Sequence, residues 1–136
     1  MRILLTGRNG QVGTVLVRAL APLGEVRATG RAELDVEDPD AIVAAVRGLR
    51  PGLIVNAAAY TAADGAEAHP DVALSVNAHA PRVLAEEAAR VGAALIHYSS
   101  DHVFDGKKEG PYVEEDVTAP LNVYGRTKLL GEQGVR

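Results

Sequence analysis

Leu4-Leu5-Thr6-Gly7-Arg8-Asn9-Gly10-Gln11-Val12-Gly13 is the stretch that decides the fold. The run Arg2–Thr6 (RILLT) is short, apolar and stopped by glycine, the pattern of a strand buried on both faces. Gln11–Ala21 follows, with Val12, Val15, Leu16, Ala19 and Leu20 at helical spacing, and Pro22 and Gly24 end it. Glycines at spacing three and three between a strand and a helix permit a tight turn, let backbone approach a pyrophosphate, and allow close helix–strand packing. The free N–H groups at the helix start then face the phosphates, aided by the helix dipole. Gly7, Asn9, Gly10, Gln11, Val12 and Gly13 are therefore candidate cofactor-binding residues. Three glycines alone also make an ordinary turn; the strand before and the helix after give the pattern its meaning.

Outward from this turn, strands and helices alternate. Glu25–Ala28 reads as a short second strand. Asp38-Pro39 is a helix start, an N-cap acceptor followed by proline at the first helical position, and Ile42, Val43, Val46 and Leu49 form one apolar face behind it. Pro51-Gly52 closes that element and Leu53–Ala57 (LIVNA) is the third strand. A small-residue loop is expected over Ala58–Pro70, then a mostly helical stretch over Asp71–Gly92, kinked or divided around Asn77 and Pro81. Ala94–Tyr98 (ALIHY) is the fourth strand, Ser99–Asn122 a long loop, and Tyr124–Gln133 a last helix. This order predicts an α/β fold, a Rossmann-like doubly wound parallel sheet with helices on both faces, forming one NAD(P)-binding domain over residues 1–136.

Composition excludes several function classes. A formal charge of −4 argues against a nucleic-acid partner, which needs an excess of Lys and Arg. With no cysteine there is no disulfide, thiolate metal site or Cys nucleophile. No apolar run reaches membrane-spanning length and Met1-Arg2 leads straight into a strand, so no membrane partner and a cytoplasmic location are expected.

Beyond the glycine turn, several residues carry chemistry. A strand-end carboxylate that would grip the ribose 2′-hydroxyl of NAD is missing; Thr29-Gly30-Arg31 stands there instead. Arg31, with Arg8, can pair with a 2′-phosphate through its fork of donors, which favours NADP(H) over NAD(H); otherwise Arg31 is a solvated loop charge. Asp35 is a candidate for the adenine amino group or a turn residue. Small residues at Ala57–Ala59, followed by Tyr60, either let a cofactor lie flat or serve helix packing. Tyr124 and Lys128 stand one helical turn apart on one face. A phenol titrates near ~10, and a neighbouring cation stabilises its phenolate, so Tyr124 can protonate a ketone oxygen as hydride reaches the carbon. Lys128 can also hold the nicotinamide ribose. Ser99 and Ser100 follow the fourth strand at the ligand-binding edge, where a hydroxyl polarises a carbonyl or caps a turn. Asn77 is a candidate cofactor-binding residue, as an ordering or water-relay group, or simply a helix kink. His97, inside an apolar strand, reads as a satisfied sheet residue, and the four histidines show no metal-ligand spacing. Asp101, Asp105, Glu114, Glu115 and Asp116 read as an acidic surface loop rather than a Mg²⁺ site.

Taken together, LLTGRNGQVG (Leu4–Gly13), RAELD (Arg31–Asp35), VNAAAYT (Val55–Thr61), HYSSDHVFDG (His97–Gly106) and APLNVYGRTKLLG (Ala119–Gly131) resemble the extended short-chain dehydrogenase/reductases, in particular the dTDP-4-dehydrorhamnose reductase branch. The resemblance implies NADPH- or NADH-dependent reduction of the 4-keto group of a dTDP-sugar. It implies Tyr124 as general acid, Lys128 as its partner and ribose ligand, and Ser100 where the branch usually has threonine. Gly7, Gly10, Gly13, Asp35, Val36 and Ala57–Ala59 fall on its cofactor contacts. Mg²⁺ as a possible ion and a homodimer built on Arg82–Arg90 and Tyr124–Gln133 are implied in the same way. His102 stands where the branch has tyrosine, near the expected sugar pocket. The branch continues well past the position of Arg136 into a carboxyl-terminal sugar-nucleotide region, so a fragment, a truncation and a chain completed by another subunit are all open. A non-catalytic dinucleotide-binding or regulatory subunit, or a related sugar-nucleotide epimerase or reductase, is the alternative.

Overall fold

A computed structural model describes residues 1–136. Its centre is a four-stranded parallel sheet, β1 (Arg2–Thr6), β2 (Glu25–Thr29), β3 (Leu53–Asn56) and β4 (Ala94–His97), in the order β2-β1-β3-β4. Leu4 is opposite Ile54 and Thr6 opposite Asn56, so the carboxyl ends of β1 and β3 finish level. Between those two strands the order reverses, and crossovers leave in opposite directions to open a crevice above them.

Strand alternation divides the core. Leu4 and Ile54 point to one face and pack with Ile42 and Val46 of α2 (Pro39–Leu49) and Leu84 and Ala88 of α5 (Ala80–Val91). Ile3, Leu5 and Val55 point to the other, against Leu20 of α1 (Gln11–Leu20). Helices on both faces of a parallel sheet are the expected doubly wound arrangement. The apolar stripe expected on α1 is buried only in part, however. Leu20 is buried and Leu16 half-buried, while Val12 and Val15 are 46% and 66% exposed. On the same side Ile96 of β4 is 47% exposed, because α1 lies over β1 and no element covers β4 there.

Other boundaries follow local chemistry. Asp38 caps α2, its carboxylate accepting from the Asp40 and Ala41 N–H groups, as the Asp-Pro start predicts. The Asp71–Gly92 stretch divides into α4 (Pro70–Leu74), a π-helical turn (Ser75–His79) and α5, with Asn77 inside the π turn and Pro81 just beyond it. The loop expected over Ala58–Pro70 contains a helix, α3 (Ala63–Ala68), which the sequence reading missed. ADGAEA mixes three alanines and a glutamate with the weaker helix formers Asp64 and Gly65, but Ala66 is fully buried, so packing beside the last helix, α6 (Val123–Val135), overrides the loop reading.

One ion pair ties the helical layer together. The Glu87 carboxylate, 3% exposed, accepts from Arg47 Nε at 2.7 Å and Nη2 at 2.9 Å, joining α5 to α2. The Arg47 hydrogen bonds hold the Glu87 carboxyl below its ordinary value. A depressed carboxyl contributes stability above the unfolded-state value of 4.5 and loses it as pH falls through the lower folded-state value. Arg47→Met should lower the thermal midpoint at neutral pH, and the gap from wild type should close as pH drops below 4.5 in thermal scans across pH.

Candidate active site

The crevice above β1 and β3 is built by the glycine turn. Gly7 has φ +74°, and a Cβ there would stand 2.6 Å from the Ala57 and Ala58 backbone, so the β1 and β3 loops touch. At Gly13 a Cβ would stand 2.0 Å from the Gly7 carbonyl oxygen, so α1 begins flush against the turn. Gly10 differs. Its only near neighbour is the Gly7 carbonyl oxygen at 3.4 Å, so no packing inside the protein demands glycine there. Its missing side chain leaves room for something outside.

Helix termini sharpen that contrast. α6 starts on Asn122, which accepts the Gly125 N–H at 2.7 Å, while Glu67 of α3 accepts the Val123 N–H at 2.8 Å. Glu67 is a positioning residue the sequence reading did not find, because its partner lies 56 positions away. The start of α1 has no side-chain cap. Its first N–H groups, at Gln11, Val12 and Gly13, have no partner within the helix by geometry. An uncapped helix start beside an open glycine, at the switch point of a parallel sheet, has the geometry of a pyrophosphate cradle.

Beside this turn lies a cavity of about 240 Å³, whose walls include Gly7, Arg31, Asp35, Val36, Ala58, Ala59 and Tyr60. Seven of the candidate cofactor residues thus surround one space. Within its rim Asp35 also accepts the Glu37 N–H at 3.0 Å, so it is a turn residue whatever else it contacts. Arg31 is 75% exposed at its side chain and pairs with Glu37, with Asp35 at 3.6 Å.

Asn77 is placed differently from a cofactor ligand. Its Oδ1 accepts from the Tyr60 N–H at 2.9 Å, and its Nδ2 donates to the Tyr60 carbonyl at 3.0 Å and to Thr127 Oγ1 at 3.1 Å. These bonds spend its side chain inside the protein, bracing the loop after β3 against α6.

On α6, Tyr124 is half-buried and Lys128 is buried. The Lys128 ammonium donates to the Tyr98 carbonyl at 2.5 Å, and burial lowers its pKa from 10.5. The Tyr124 ring meets the His102 ring edge-on, centroids 5.2 Å apart. Close approach makes this possible, since a Cβ at Gly125 would stand 2.2 Å from the His102 carbonyl oxygen. Ser100, two residues before His102, accepts the His102 N–H and donates to Asp101, both at 3.2 Å. Ser99 donates to Glu132 of α6. The loop after β4 and the start of α6 therefore form one surface, bringing the Ser100 segment beside Tyr124.

His97 corrects the sequence reading. Its Nδ1 meets Asn56 Nδ2 at 3.1 Å, and Asn56 in turn accepts from Thr6 at 2.6 Å, but Nε2 is buried without a partner. Burial first, and the Lys128 charge second, lower its pKa from 6.5 to about 4. Such a histidine is neutral when folded and protonated when unfolded between those values. Stability should therefore fall as pH drops from about 6.5 to about 4, and urea unfolding of His97→Gln should lack that component.

Two acidic residues of the long loop are occupied locally. Asp105 accepts from Tyr112 Oη at 3.0 Å, and Asp116 pairs with Lys108 at 2.5 Å. No three His, Asp or Glu side chains stand together as a metal site. No helix is long and apolar enough to cross a membrane.

Known proteins share this fold. The RmlD substrate binding domain family matches residues 1–136. A dTDP-4-dehydrorhamnose reductase from Burkholderia thailandensis is 50% identical over 135 residues, which are 99% of this chain and 45% of the relative. The reductase structure from Clostridium acetobutylicum superposes with a TM-score of 0.96 at 39% identity, over 99% of this chain and 49% of that one. The Bacillus anthracis reductase, solved in complex with NADP, gives 0.93 at 37% identity, over 98% of this chain and 48% of that one. The chain thus spans about half the length of the relatives it matches. With its whole length matched, it belongs to the RmlD substrate binding domain family.

Proposed function

We propose that this chain supplies the nicotinamide-dinucleotide site and the proton-donating residues of a reductase acting on the 4-keto group of a dTDP-4-dehydro-6-deoxy sugar. The observation that carries the reading is the uncapped start of α1 beside Gly10, where room is left for a ligand and for no protein atom. Support for the substrate class comes from the Burkholderia thailandensis relative, a dTDP-4-dehydrorhamnose reductase, and support for the cofactor from the NADP bound to the Bacillus anthracis structure.

In this reading the N–H groups of Gln11, Val12 and Gly13 bind the pyrophosphate, and the cavity along Arg31, Asp35, Val36 and Ala58–Tyr60 takes the adenosine. Bound NADPH or NADH supplies the hydride. Tyr124 donates its phenolic proton to the ketone oxygen as the carbon is reduced. Lys128, one helical turn along α6 from Tyr124 and fixed on the Tyr98 carbonyl, holds the nicotinamide ribose. The Ser100 hydroxyl, rotated away from Asp101, donates to the same ketone oxygen. Asn77 positions Tyr60 and α6 without touching substrate. The carboxylates do not fit a Mg²⁺ site, and no step passes through one.

Arg8 and Arg31 support a preference for NADP(H) over NAD(H) through pairing with the 2′-phosphate. The test is oxidation of NADPH in the presence of the 4-keto dTDP-sugar, followed by loss of reduced-nicotinamide absorbance. Turnover dependent on that sugar supports the reading. Nucleotide binding without turnover, in every assembly the chain forms, would replace it with a non-catalytic dinucleotide-binding subunit.

A further inference from the structure

Two arginines near the adenosine end of the cleft are neutralised by the chain itself, Arg31 in the cavity wall with Glu37 and Arg8 just outside it, next to Gly7 of that wall. Arg8, directly after Gly7, pairs with Glu33 at 2.5 Å. The other oxygen of Glu33 accepts the Gly30 N–H at 2.9 Å, so this carboxylate is held at both ends. Arg31 pairs with Glu37, and Asp35 stands 3.6 Å from its Nε. Asp35 in turn accepts the Glu37 N–H at 3.0 Å, which fixes the backbone carrying the second carboxylate. Two guanidiniums thus face three carboxylates on one short turn, and the rim has no net positive charge.

This arrangement bears directly on the 2′-position of the adenosine ribose. A 2′-phosphate brings roughly two negative charges. To bind either arginine it must take the guanidinium from a glutamate, and the glutamate left behind repels it. A 2′-hydroxyl brings no charge and leaves both pairs intact. The arginines alone would select strongly for phosphate through bidentate pairing. Their counter-ions reduce that selection.

Resting on the dinucleotide-site reading above, we propose that Glu33 and Glu37 are cofactor-specificity residues, internal counter-ions that hold Arg8 and Arg31 in check and keep the site open to NADH as well as NADPH. Neither glutamate was singled out by its position in the sequence. Each is assigned by its partner. Glutamine is the informative replacement because it removes the charge while keeping an oxygen to accept the Gly30 N–H.

Calorimetric titration of the full chain with NADPH and with NADH, in wild type, Glu33→Gln and Glu37→Gln at low ionic strength, tests this. Each variant should raise the ratio of NADH to NADPH dissociation constants by roughly five-fold, through tighter NADPH binding with NADH unchanged. Arg8→Gln and Arg31→Gln should lower the same ratio. A wild type that binds both nucleotides, with the ratio unmoved in both glutamine variants, overturns the counter-ion role and leaves the dinucleotide site standing. Binding of neither nucleotide to wild type overturns the site and the counter-ions together. Two variants on separate arginines keep the answer available if one of them fails to fold.

Discussion

Tyr124→Phe is expected to lower the rate of ketone reduction by about a hundred- to ten-thousand-fold, the range that a positioned general acid contributes. Nucleotide affinity should be unchanged, because the pyrophosphate cradle lies on α1 and the adenosine cavity does not include Tyr124. Stability should also hold. The ring's edge-on contact with His102 needs only the aromatic face and survives loss of the hydroxyl. The measurement is steady-state NADPH oxidation with the 4-keto dTDP-sugar, alongside calorimetric NADPH binding and a thermal scan. Full activity with an intact fold would remove Tyr124 from the role of acid. A parallel loss of nucleotide affinity would instead make Tyr124 a binding residue.

Much of this molecule is legible in the sequence where the signal is local. RILLT followed by spaced glycines marks β1 and the turn, and Asp38-Pro39 marks the start of α2, because strand termination and capping depend on immediate neighbours. The candidate site is legible to the same degree. Gly7, Arg31, Asp35, Val36 and Ala58–Tyr60 are scattered over 54 positions, yet they meet around one cavity because a parallel sheet brings its strand ends to one edge. Long-range features were not legible. Helix α3 forms because Ala66 is buried against a helix much later in the chain, and Glu67 is useful only because its carboxylate reaches Val123. His97 looked like a satisfied strand residue, since nothing nearby shows that Nε2 would be sealed without a partner. The outer face of α1 failed for a related reason. Periodicity reports which side of a helix is apolar, and says nothing of whether an element arrives to cover it.

The second large effect separates two glycines that the sequence pattern treats alike. Gly13→Ala should lower stability by about 3 kcal/mol, because the new Cβ would overlap main-chain atoms that cannot swing aside as a side chain can. Those atoms are the Gly7 carbonyl oxygen at 2.0 Å, its carbon at 2.7 Å and Arg8 Cα at 2.9 Å. In a domain of this size that corresponds to a fall of about 10 °C in thermal midpoint. Gly10→Ala meets only one atom, at 3.4 Å, and Gly10 has φ −79°, a conformation open to any residue. Its thermal midpoint should stay close to wild type. Its NADPH affinity should drop at least about ten-fold, a cost of about 1.4 kcal/mol, because the methyl group enters the space the pyrophosphate needs. Thermal scans with and without NADPH read both effects together. Wild type should shift upward with nucleotide, Gly13→Ala should start lower, and Gly10→Ala should start at the wild-type value and lose most of the shift. If Gly10→Ala kept the full shift, the open side of the turn would not be where the phosphates lie, and the cradle would have to be sought elsewhere on the sheet edge.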